Sequence, residues 1–223
     1  MPSPSAAGGR VLAAFFGTVG RLRTGKPLHP QGVTLAATLT RHGATPPFGV
    51  PWLDEPGTDA VDLRVSRAVG LPAWSPDVPG LALRVPTSSG FGDLLLATTG
   101  RGRLGRFLLV PRRRWAGAFH GSLLPYVAAG RLVELGAEPV DARALPVGPA
   151  ALSDELRRRP LELRLLAAPL VGNWRWFATV TVSGDVRPEP TFDPVLNPLP
   201  GLAVPGWARR LREPSYAAAR RTH

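Results

Sequence analysis

Cysteine is absent from this chain of 223 residues. That removes disulfides, thiolate nucleophiles and Cys-based zinc or iron–sulfur sites, and it leaves the redox compartment unread. Lysine occurs once, at Lys26, so arginine supplies nearly all of the cationic charge behind the net +11. Histidine is scarce too: His29, His42, His120 and His223 are the full set, with no HExxH or His-x-His spacing among them. Such a set argues against a cage of several histidines around a metal. No apolar run approaches the ~18 residues that a membrane-spanning helix needs. The basic charge is not accompanied by a helix-turn-helix pattern, a zinc finger or alternating aromatic and basic strand positions. No specific nucleic-acid partner is therefore expected.

What is present is an ordinary globular balance of 44% apolar and 19% charged residues, with Pro 26 and Gly 25 spread along the length. Many short elements and turns follow from that distribution. Residues 1–25 read as a flexible start followed by an amphipathic helix over 10–23, with Val11, Leu12, Phe15, Phe16, Val19 and Leu22 on one stripe. Gly17 and Gly20 break it, and no small-x-small cleavage pattern follows, so it reads as a docking helix rather than a signal peptide. Its expected role is to dock on a partner or, weakly, on a membrane surface, and a cytoplasmic location is the expectation.

From residue 31 the pattern shortens to strand length. Strands are expected over 33–41, 59–66, 80–85, 92–98, 105–110, 131–135, 161–168 and 173–183, each bounded by turn formers. Helices are expected over 115–129 and 151–159, the latter with Ser153 as its cap. A Pro-rich connector over 187–205 leads to a basic helix over 209–221. The fold class is α+β and β-rich: one antiparallel barrel domain over 26–223, with peripheral helices and a C-terminal helix.

That last helix carries Tyr216, with Arg212 four residues before it and Arg220 four after. Helical spacing stacks guanidinium, phenol and guanidinium along one face, and flanking cations favour the phenolate. A phenolate is a hard anionic ligand of the kind that serves as an axial ligand of haem iron. Pro214 lies between Arg212 and Tyr216, so either the helix begins near Glu213 or the Arg212–Tyr216 stacking is not helical.

Two resemblances attach to the remaining motifs. Arg41-His42-Gly43, directly after a strand, resembles the Arg-His-Gly signature of the histidine phosphatases, with His120 offered as the second histidine. That family implies a parallel sheet with long helices and phosphate-ester hydrolysis.

The second resemblance runs in order over residues 26 to 221. His29-Pro-Gln-Gly32, Arg64-Val65-Ser66, the segment from Asp77 to Val85, Leu96-Ala97-Thr98-Thr99, the connector from Phe192 to Pro200 and Arg212…Tyr216 together resemble the catalase family. The match is most similar to its short, single-domain haem proteins. The resemblance implies a catalase-like β-barrel binding haem b, with His29 as the distal acid/base and Ser66 supporting it. It further implies Arg64 on the haem side and Tyr216 as the iron ligand, with Arg212 and Arg220 beside it. Hydrogen or organic peroxide would be the oxidant and a small molecule the reductant, and an oligomer is compatible with this.

Several positions depart from the family pattern: Val65 stands for Phe, Pro79 for Arg, and Thr98 for the distal asparagine. Loss of that amide implies peroxidase-like turnover rather than true catalase activity. Other arginines, Arg84 and Arg112 to Arg114, are candidate partners for the haem carboxylates, and Phe107, Trp115 and Phe119 for packing the ring. A barrel that keeps this fold without haem, as a scaffold or binding protein, is the alternative.

Overall fold

The computed structural model describes residues 31–67, 77–112, 117–141, 143–146 and 149–210. Eight strands close into an antiparallel barrel: β1 (Gln31–Arg41), β2 (Gly57–Arg67), β3 (Pro79–Thr87), β4 (Gly90–Thr98), β5 (His120–Gly121), β7 (Arg131–Pro139), β8 (Leu161–Pro169) and β9 (Arg175–Arg187). The ring runs β1-β2-β3-β4-β5-β7-β8-β9 and returns to β1. Closure by the β7–β8 pairing leaves no free edge in the ring. Two short strands, β6 (Tyr126–Ala128) and β10 (Leu202–Ala203), extend the sheet along β7 beyond β5. The barrel unit spans His29–Pro205. Outside it, residues 206–210 are helical.

Alternation in the sequence explains which side of each strand is buried. Val33, Leu35, Ala37 and Leu39 of β1 point inward, together with Val61 and Leu63 of β2, Leu81, Leu83 and Val85 of β3, and Leu94 and Leu96 of β4. Ala178, Val180 and Val182 of β9 face Leu165, Leu163 and Leu161 of β8 to complete the core. Each fully buried Leu or Val contributes about 2 kcal/mol relative to exposure. One turn of helix, α1 (Pro51–Asp54), adds Trp52 against Phe177 with ring centroids 5.4 Å apart. The Asp54 carboxylate accepts the backbone N–H groups of Phe48, Gly49 and Val50 at 2.7, 2.6 and 2.8 Å, which fixes that turn.

Helix α2 (Pro149–Arg158) adds Leu152 and Leu156 to the same core. Ser153 is not its cap. The hydroxyl is buried within the helix and donates to the carbonyl of Gly184 on β9. Gly184 sits at φ +85°, and a Cβ there would lie 2.6 Å from the Ser153 carbonyl oxygen, so only glycine lets helix and strand approach this closely.

Two expected elements differ. Residues 117–129 form β5, β6 and turns instead of a helix. Gly117, Leu123 and Ala129 adopt positive φ (69°, 61° and 46°), which a right-handed helix cannot contain. Residues 105–110 begin as a 3₁₀ turn, Gly105–Phe107, with a single bridge from Leu109 to Thr99. There the chain folds back so closely that a Cβ on Gly100 would lie 2.9 Å from the Gly105 Cα. The N-terminal segment over 1–25 and the C-terminal helix beyond residue 210 lie outside the described residues. Among the described residues, no helix is long and apolar enough to cross a membrane.

The Pro-rich connector is a strap across the outside of the barrel. Asp93 on β4, with 0% exposure, holds it: its carboxylate takes the Asp193 backbone N–H at 2.8 Å and the Asn197 side-chain amide at 2.8 Å. The same carboxylate binds Arg84 in a two-point ion pair at 2.8 and 2.7 Å, and Arg84 also donates to the Thr191 carbonyl. The bond to Asp93 raises the pKa of Arg84 despite its burial. Replacing Asp93 by Ala leaves Arg84 without its counter-charge and two strap donors without an acceptor. We expect Asp93→Ala to lose about 3–5 kcal/mol of stability in urea unfolding, and Asp93→Asn less; a change under 1 kcal/mol would mean the strap is not held this way.

Candidate functional site on the outer face of strands 1 to 4

Registers across the first four strands place two rows of side chains on the outside of the barrel. One row is Gly32, Ser66, Gly80 and Ala97; the next is Thr34, Arg64, Ala82 and Leu95. Paired residues share a face, and these alternate with the inward-pointing Val33, Leu63, Leu81 and Leu96. A third row, Ala36, Asp62, Arg84 and Asp93, carries the strap.

Outside faces of antiparallel barrels usually meet water, and farther along β1 and β2 this one does: Thr38, Thr40, Thr58 and Ala60 are exposed. At the corner in question it is buried, with Thr34 at 2%, Ser66 at 6%, Arg64 at 8% and Ala82 at 9% exposure. Small residues make the surface flat. Gly32 allows the Arg64 guanidinium to lie directly on β1, since a Cβ there would fall 2.6 Å from Arg64 Cζ. Ser66 Oγ reaches the Gly80 carbonyl at 3.4 Å. Thr34 Oγ1 is buried with no hydrogen-bond partner among the described residues. A buried hydroxyl left this way costs free energy unless something else supplies a partner.

Arg64 is already engaged. Its Nε donates to Glu189 Oε1 at 2.6 Å, with the arginine side chain 9% and the glutamate side chain 56% exposed. Glu189 belongs to the Pro188-Glu189-Pro190 start of the strap. Nothing in the sequence pattern marks it, because it stands 125 residues from its partner.

The expected site residues divide as follows. Arg64 and Ser66 share the corner. Thr98 does not: its neighbour Ala97 faces the corner, while Thr98 points to the barrel interior, opposite His120 and, beyond it, Ala137. The period of two along β4 is the physical reason, and it makes Ala97, which carries no side-chain donor, the β4 residue nearest Ser66 in register. His29, Arg212, Tyr216 and Arg220 lie outside the described residues, as do Arg113, Arg114 and Trp115. Arg84 is committed to Asp93, and Arg112 is exposed in a backbone bridge with Asp77. Phe119 packs over Gly136 and against Trp174 at 4.8 Å, beside Arg106, whose guanidinium lies 4.6 Å from the Trp174 ring and donates to the Pro169 and Gly172 carbonyls.

The phosphatase resemblance does not survive the fold. The sheet of the described residues is antiparallel throughout, not parallel. Arg41 is paired with Asp59 and the Glu55 carbonyl. His42 is exposed, stacked edge-on against Trp176 at 4.4 Å, while His120 is fully buried in the barrel.

No protein-family model and no curated protein matches this sequence. Among solved structures it is similar to catalase A from Saccharomyces cerevisiae, with a TM-score of 0.65 at 11% identity over 94% of this chain. The fold is catalase-like. The match takes in 63% of the yeast chain, so this chain spans less than two thirds of that length. At such identity the likeness carries the barrel and its topology, and the chemistry has to be argued from the residues. Among the described residues, no three His, Asp or Glu side chains gather into a metal cage.

His120, opposite Thr98, gives a test of the interior. Burial pushes its imidazole pKa from 6.5 down to about 3, against a smaller upward pull from the Ala118 backbone. Between those values the unfolded chain binds a proton that the folded protein refuses. Stability is therefore complete above pH ~6.5 and falls as pH drops, by about 2 kcal/mol at pH 5. Denaturation of His120→Gln should show a shallower decline between pH 7 and 5 than the parent; parallel declines would place the acid sensitivity elsewhere.

Proposed function

We propose that this chain is a haem protein built on the catalase-like barrel, and that it acts on peroxides in a peroxidase-like way. The observation that carries the reading is the buried corner on the outer face of β1 to β4. There Gly32, Gly80, Ala82 and Ala97 make a flat surface beside a buried arginine and a buried hydroxyl with no partner among the described residues. That corner fits a flat ring bearing carboxylates: small side chains admit the plane, Arg64 answers an acid group, and Thr34 can bond at the rim.

Haem, when bound, supplies the iron at which peroxide is reduced. The protein's part is assigned from its own residues. Tyr216, as phenolate, would hold the iron, and Arg212 and Arg220 would favour its ionised form. His29, three residues before Gly32, would serve as the acid/base, taking a proton from one peroxide oxygen and returning it to the other. Ser66 is a positioning residue that fixes the imidazole tautomer. Arg64 holds a haem carboxylate. Thr98 is not assigned to the ligand, since it faces the other side of the sheet. Ala97 on the ligand face offers no side-chain donor to hold peroxide, which supports slow catalase turnover with a small-molecule reductant preferred. A second reading, the same barrel without haem serving as a binding protein, is favoured by the Arg64–Glu189 pair alone.

The test is a haemin titration followed by visible absorption, with the full chain. The parent should bind one haem; Tyr216→Phe should lose the phenolate-to-iron spectrum. His29→Ala should keep the haem and lose peroxide turnover by about 10²–10⁴-fold. A parent protein that takes up no stoichiometric haem would sink the reading in favour of the haem-free barrel.

A further inference from the structure

We propose that the paired loops over 100–109 and 169–174 are a docking tip for an anionic lipid bilayer. Leu104 and Val171 enter the acyl layer there, and arginines of the first loop meet the phosphates. The inference stands apart from the reading of the corner on β1 to β4 and needs no bound cofactor.

The two most exposed large apolar residues among the described ones lie on these loops, Leu104 at 82% and Val171 at 72%, with Leu108 at 52% beside them in sequence. Each of the first two sits in a closed turn. The neck of the first loop is shut by the bond from the Gly100 N–H to the Gly105 carbonyl at 3.0 Å, and the Arg106 N–H reaches the Gly102 carbonyl at 3.0 Å. The second turn is closed by the bond from the Gly172 N–H to the Pro169 carbonyl at 2.8 Å. Closed turns hold the two side chains in water, a cost that a looser chain would escape by folding back on the barrel.

Side-chain contacts bind the loops to each other. Arg106, 2% exposed, donates to the Pro169 and Gly172 carbonyls at 3.2 and 3.0 Å, and its guanidinium lies 4.6 Å from the Trp174 ring. The Trp174 indole N–H in turn donates to the Arg101 carbonyl at 2.8 Å. Burying a guanidinium is costly. Here it fixes the two turns as one tip.

Charge selects the occupant. The first loop contains Arg101, Arg103 and Arg106, and neither loop contains an acid. Arg103 is exposed, and the Arg101 side chain is 58% exposed while it pairs with Glu138 at 3.1 Å. Burial lowers the pKa of Arg106, nearby Glu134 raises it, and the charge of Arg103 lowers it again, so the cations stand close enough to repel. A surface that brings negative charge relieves that repulsion. Protruding aliphatic tips need no matching groove in a bilayer, which opens around them. Guanidinium groups beside them bind phosphate through two parallel hydrogen bonds, and the net charge of +11 draws the chain to the same surface.

The absence of cysteine permits a site-specific test. Leu104→Cys carries an environment-sensitive dye, and Val186→Cys, 56% exposed at the far end of β9, is the control. The full chain is sedimented with vesicles of phosphatidylcholine alone, and with vesicles of phosphatidylcholine and phosphatidylserine in equal parts. The parent should sediment with the mixed vesicles only. The dye at position 104 should shift to the blue on them, and the dye at position 186 should not. Leu104→Asp should raise the lipid concentration for half-binding about tenfold, and Arg103→Gln about fivefold. Protein that stays in the supernatant overturns the proposal. So does sedimentation without the shift at position 104, which would make the attraction one of charge alone. A tip that instead joins two copies, seen as a dimer in gel filtration that Leu104→Asp dissociates, overturns it as well. Circular dichroism compares each variant with the parent, and the dye arm needs no charged substitution should Leu104→Asp fail to fold.

Discussion

Closure of the sheet between β7 and β8 is the constraint on which the rest of this protein depends. A closed antiparallel ring permits one interior, and the period of two then assigns every strand residue to it or to the outside. Leucine and valine at alternate positions of β1, β2, β3 and β4 satisfy that rule, and a register slip of one residue would expose them all. The same rule decides the chemistry. It sends Arg64, Ser66, Gly80 and Ala97 outward as one surface, and it sends Thr98 inward to face His120.

The strap depends on the ring in turn. It crosses the outside of β2 to β4, and its anchor is a fully buried carboxylate, Asp93, which is tolerable only because arginine, amide and backbone donors all converge on it. One carboxylate thus joins a strand, an opposing arginine and a connector about a hundred residues away. Neighbouring Arg64 meets the strap through a second carboxylate that differs in one respect: Glu189 is in reach of water and Asp93 is not. The strap is thus held by one carboxylate that is fully buried and touched by one that reaches water.

That contrast gives the outer corner its character. Burial on the solvent side of a barrel, a row of small residues and a buried hydroxyl with no partner among the described residues are the observations on which the proposed flat ligand rests. Catalase A from yeast shares the barrel at 11% identity, too distant to carry residue roles. The chemistry proposed for the corner consequently rests on what these side chains can do: hold a carboxylate, position an imidazole and offer little to a bound peroxide.

The barrel was legible along the chain because alternation is local: β1, β2, β3, β4, β8 and most of β9 are written in apolar residues two apart. The helix expected over 115–129 failed because three residues with positive φ and Pro125 redirect the chain, and apolar content alone does not reveal that. Arg64 and Ser66 could be picked out as a pair since they sit two apart on one strand. The choice between Ala97 and Thr98 could not, since it turns on the register of β4 against β3. Glu189 was invisible for a plainer reason: its partner is 125 residues away, and no spacing rule spans that distance. The sequence by itself determined strand alternation, the inward apolar set and the residues able to carry charge. Only the tertiary structure decided which polar side chains share a face and which carboxylate answers which arginine, because ring closure and the path of the strap bring together groups that no local pattern connects.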